Sequence, residues 1–92
     1  MQKLEKWELM TKIVRELEDL SNSQTAVIKK IAQIEAHNIN LGNTSLDKSL
    51  GDIYTKVSEN LELVSALASS FSEETGKYRV DNKLDALMDP TA

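Results

Sequence analysis

Any chemistry in this chain has to come from one histidine and from carboxylates, because the sequence contains no cysteine. Thiol nucleophiles, thiolate metal sites and disulfides are excluded with it. The acids gather in three places: Glu16, Glu18 and Asp19; Glu59 and Glu62; Glu73 and Glu74. Helical bundles that hold two metal ions use inward-facing Glu-x-x-His pairs, and no such pair occurs here. Pairs such as Glu8–Lys12 and Asp52–Lys56 instead place acid and base one helical turn apart, the pattern of a solvated helix face. There is no Gly-rich phosphate loop, and no Ser or Thr has a His or Lys placed to activate it. The expectation is a chain that is not an enzyme, with no metal, no cofactor and no small-molecule substrate.

His37, the single histidine, stands at the end of the first long helical segment, where an imidazole ordinarily complements the helix dipole. A sharper alternative is a phosphoaccepting histidine of the kind found in histidine phosphotransfer domains, which are also helical bundles. That motif places an apolar residue, a Lys and a small-residue pair just after the His. The stretch Ala36-His37-Asn38-Ile39-Asn40-Leu41-Gly42 lacks the Lys and displaces the Gly, so phosphotransfer through His37 ranks as a remote alternative.

Binding chemistry is better represented. Trp7 is expected first as an anchor in the bundle core, and it is also a large aromatic of the kind that dominates interface energetics if that core is shared with a partner. In the tail, Val80, Leu84, Leu87 and Met88 fall at i, i+4, i+7 and i+8, the spacing of a short helix that lies in a partner's groove, or equally of a frayed terminus that docks on its own hairpin.

These residues have to be carried by helices. Of 92 residues, three are Gly and one is Pro, 40% are apolar and 4% aromatic. The apolar spacing predicts a first helix over 2–37, a turn over 38–44 and a second helix over 45–76, with Thr44 or Ser45 as its cap and Gly76 as its stop. Residues 1–78 form the hairpin domain and 79–92 a tail, with a short third helix over 81–88 before Pro90. The fold class is all-α: a long antiparallel coiled-coil-like hairpin.

Heptad letters refine this. In the first helix Met10, Leu17, Gln24 and Ile31 take position a, and Ile13, Leu20, Val27 and Ile34 take d. In the second, Leu50, Val57, Val64 and Phe71 take a, and Ile53, Asn60, Leu67 and Glu74 take d. Folding the chain at residue 42 pairs residues whose numbers sum to 84, which sets Gln24 opposite Asn60 as a buried polar layer that resists register slips. With an a/d seam, the e flank is left open: Trp7, Val14, Ile28, Tyr54, Leu61 and Ala68 are expected to form one apolar protein-binding face.

Net charge is −4, and no basic run exceeds Lys29-Lys30, so neither nucleic acid nor anionic lipid is an expected partner. No apolar run approaches the ~18 residues of a membrane span, and Met1–Lys6 lacks a signal-peptide core. The absence of cysteine in so small a chain fits an intracellular (cytoplasmic or nuclear) setting. The expected function is a non-enzymatic scaffold or adaptor subunit completed by other helical chains, a hetero-oligomer in preference to a homodimer. The alternative is a homodimeric four-helix bundle that regulates a target.

Overall fold

Residues 3–41 contain neither Gly nor Pro and form one uninterrupted helix. In the computed structural model, which describes the backbone of residues 1–88 and side chains through Ala86, this is α1 (Lys3–Leu41). The stretch Ser21–Thr25, rich in poor helix formers, does not break it. There, Ser23 Oγ donates to Asp19 O at 3.0 Å and Thr25 Oγ1 to Ser21 O at 3.1 Å. Bonding to its own preceding turn lets each hydroxyl stay within the helix.

α1 runs four residues past its expected end at 37. Asn38, Ile39 and Asn40 stay helical because the left-handed residue that closes the helix is Gly42, with φ 68° and ψ 31°, whose N–H donates to Asn38 O at 2.7 Å. The cap of α2 (Thr44–Asp81) is Asn43, not Thr44 or Ser45. Its Oδ1 accepts from Leu46 N at 2.9 Å and from Ser45 Oγ at 2.8 Å, while Asp47 supplies negative charge in the first turn.

Gly76 does not stop α2. The helix continues to Asp81, the residue at which the third helix was to begin, and ends in a Schellman motif. Lys83 N donates to Val80 O and Leu84 N to Arg79 O, both at 3.1 Å, with Lys83 in left-handed backbone at φ 52°. The expected third helix over 81–88 is reduced to a single turn, α3 (Asp85–Met88).

The two long helices pack antiparallel into a rod of 66 × 19 × 19 Å. Lys6 lies over Tyr78, Arg79 over Trp7, and Ser21 Oγ meets Ser65 Oγ at 3.2 Å. Their numbers sum to between 84 and 86, so the fold point near residue 42 stands.

The seam, however, runs along a and e rather than a and d. Every α1 residue at these two positions from Trp7 to Asn38 is buried or half-buried, and so is every α2 residue from Leu50 to Tyr78 except Tyr54. The cause is composition. On α2 the d position holds Asn60 and Glu74, whereas e holds Leu61, Ala68 and Thr75. A rotation of about 50°, the offset between an a/d and an a/e stripe at 3.6 residues per turn, keeps the amide and the carboxylate in water. It also lets the small residues Ser21 and Ala68 and the buried Thr75 sit between the helices, with Thr75 Oγ1 bonded to Phe71 O at 2.8 Å.

Candidate interaction face

Rotation of the seam decides what is left uncovered. The residues expected on an open e flank lie within the hairpin's own seam: Trp7, Val14, Ile28, Leu61 and Ala68 are half-buried, and only Tyr54, 47% exposed, opens to solvent. Most of the d residues are left outside, beside the g residues Leu9 and Leu63, which are 44% and 70% exposed. Leu20, Val27 and Ile34 of α1 are 45%, 46% and 37% exposed, and Ile53 and Leu67 of α2 are 47% and 53% exposed. In an antiparallel pair, like-lettered flanks share one side, because the sense of rotation reverses with helix direction. The groove on that side shows it: Val27 and Asn60, both at d, line it together with Gln24, Val57 and Lys56. A stripe that sequence assigns to the core is therefore the exposed face. The signal that could have revealed it was the pair of polar d residues on α2.

The expected polar layer does not form as a pair. Gln24 lies in the seam with its Oε1 buried and without a hydrogen-bond partner, while Asn60 is exposed. The same rotation that exposes d carries Asn60 away from the seam.

At the end of the rod away from the loop, the Arg79 guanidinium stacks 5.6 Å from the Trp7 ring centroid, and its Nε donates to Asp85 Oδ1 at 2.7 Å. The Lys6 ammonium lies 5.3 Å from the Tyr78 ring centroid. Each cation covers an aromatic edge of the seam, and Trp7 Nε1 is buried there without an acceptor. Of the expected tail residues, Leu84 is fully buried at the Schellman turn and Val80 is 71% exposed. The two thus do not share one face, and the side chains of Leu87 and Met88 lie outside the described residues.

His37 is exposed on the last turns of α1, at a g position. Among the described residues, no three His, Asp or Glu side chains converge as a metal site, and no helix is long and apolar enough to cross a membrane. No family model, curated protein or solved structure matches the chain.

Proposed function

We propose that this chain is a non-enzymatic assembly subunit that acts as a helical scaffold or adaptor by packing its d face against other helices. The observation that carries the reading is the surface left unburied. Among the described residues only Met10, Ile31, Leu50, Val64 and Leu84 form a buried apolar core, while five aliphatic d residues stand about half exposed on one side. Total accessible surface is 6976 Å², against about 5,400 Å² for a compact monomer of this mass. The excess, about 1,600 Å², is the surface that a two-helix rod leaves in water and a compact globule would bury. Covering each half-exposed aliphatic would contribute on the order of 1 kcal/mol. An intracellular setting belongs to the same proposal and is supported by the lack of cysteine in a small domain.

Association and stability measured together test it. If the face is an assembly surface, stability should rise with concentration or with a partner present, since only the folded form binds. A cooperatively folded monomer with a concentration-independent melting temperature, unchanged by Val27→Glu, would defeat it.

A further inference from the structure

The exposed face of α1 is complementary to itself. Its d residues are the half-buried Ile13 and the exposed Leu20, Val27 and Ile34, spaced by seven and all aliphatic, and the g residues beside them include Glu16, Ser23 and Lys30, all exposed. Reversing α1 onto a second α1 places Ile13 against Ile34 of the second copy and Leu20 against Val27 of the second copy. In that same register, Glu16 comes beside Lys30 of the second copy, on both sides of the twofold axis, and Ser23 meets its own copy at the axis. One register thus satisfies the apolar and the charged positions together. The angle is also suitable. The d/g ridge lies about 110° around α1 from the a/e seam, close to the right angle between neighbouring seams of a four-helix bundle.

We infer that the d face is covered by a second copy of this chain, with α1 packed antiparallel on α1 and the two hairpin loops at opposite ends of a four-helix bundle. The inference rests on the assembly reading and names its partner. The main competing twofold arrangement puts both loops at one end and α1 over α2 of the second copy. That arrangement sets Lys30 beside Lys56 and so opposes like charges where the first joins Glu16 to Lys30. The d layers do not separate the two, since α2 on α2 sets Ile53 beside Glu74 and Asn60 beside Leu67, and each arrangement wets half of them.

The test uses the full chain. Sedimentation equilibrium should give twice the 10.3 kDa chain mass. Val27→Glu should weaken association at least about tenfold, and Ala36→Glu, on the opposite side of α1, should not. Lys30→Glu should weaken it too, and adding Glu16→Lys should restore it, because the reversed charges meet again. Since the chain has no native cysteine, a single Ser23→Cys should form a disulfide-linked dimer under mild oxidation, whereas Asn22→Cys should not; the bond needs Cα atoms within about 7 Å. Tighter association of Lys30→Glu without Ser23→Cys linkage would overturn the α1-on-α1 arrangement but leave the assembly reading standing. A monomer at every concentration would overturn the second copy as occupant. The assembly reading falls with it only if that monomer also unfolds cooperatively at a melting temperature insensitive to Val27→Glu.

Discussion

Asn38 and Asn43 hold the two helices together through a reciprocal amide pair: Asn38 Nδ2 donates to Asn43 O, and Asn43 N donates to Asn38 Oδ1, each at 3.0 Å. The Asn38 side chain, only 7% exposed, thus pairs with a backbone amide the way another strand of backbone would. It satisfies both polar groups of the residue whose own side chain caps α2. Asn38→Ala should therefore remove two hydrogen bonds and cost about 1–3 kcal/mol in denaturant unfolding. Asn40→Ala, at an exposed position in the same turn, should stay within about 0.5 kcal/mol. Equal effects would mean that the amide pair does not hold the turn.

The same substitution should have opposite signs at two glycines. Gly42 has φ 68°, so an alanine there is strained even though its Cβ would meet nothing within 4 Å. Gly42→Ala should cost about 1 kcal/mol. Gly51 lies inside α2 in ordinary helical backbone, also with open space around a Cβ, and Gly51→Ala should stabilise by about 0.5–1 kcal/mol. Melting temperatures of the two variants measured side by side would settle both signs.

How far the sequence could be read follows from what each signal encodes. Periodicity without Gly or Pro gives long helices, and mirrored spacing gives the fold point; both agree with the Lys6–Tyr78 and Ser21–Ser65 contacts. Helix ends were less legible. Whether Gly76 or Gly42 ends a helix depends on which lies where the chain must reverse, and Gly76 falls where α2 still packs Tyr78 and Arg79 on α1. The seam was least legible. With a, d and e all largely apolar on α1, the stripe spans about 100° of the helix, and the partner chooses which edge to bury. That choice rested on Asn60 and Glu74, two residues of α2, and it turned the expected binding flank into core.

Gln24 offers a direct check on that choice. Its Oε1 is buried with no partner, so Gln24→Leu should remove a desolvated acceptor and stabilise by about 1 kcal/mol. Asn60→Leu, at an exposed site, should leave the hairpin's own stability within about 0.5 kcal/mol. Were the two amides paired, both substitutions would destabilise.

The Schellman turn at the end of α2 puts a lysine where glycine is preferred. Lys83 has φ 52°, a conformation costing a side-chain-bearing residue about 1 kcal/mol. Lys83→Gly should stabilise by roughly that amount, less the chain entropy glycine adds to the unfolded state. Leu84, which follows it and has no exposed surface, should lose about 2–3 kcal/mol on Leu84→Ala. Amide exchange across residues 79–84 would show whether the loss frays the turn locally or is felt by the whole hairpin.

Leu61 and Leu67 lie on the same helix, one at e and one at d, and separate folding from association. Leu61 is half-buried in the seam, and Leu67 is 53% exposed on the free face. Leu61→Glu places a carboxylate between the helices and should destabilise the hairpin by about 2–3 kcal/mol in unfolding measurements on dilute protein. Leu67→Glu should leave that dilute-protein stability within about 0.5 kcal/mol while weakening any association through the d face. An e-flank interface would reverse the pair, with Leu61→Glu folding normally but failing to associate. Circular dichroism melts and sedimentation of the two variants distinguish the cases, because the seam and the face are about 100° apart at consecutive heptad positions, and no single helix can turn both toward the same partner.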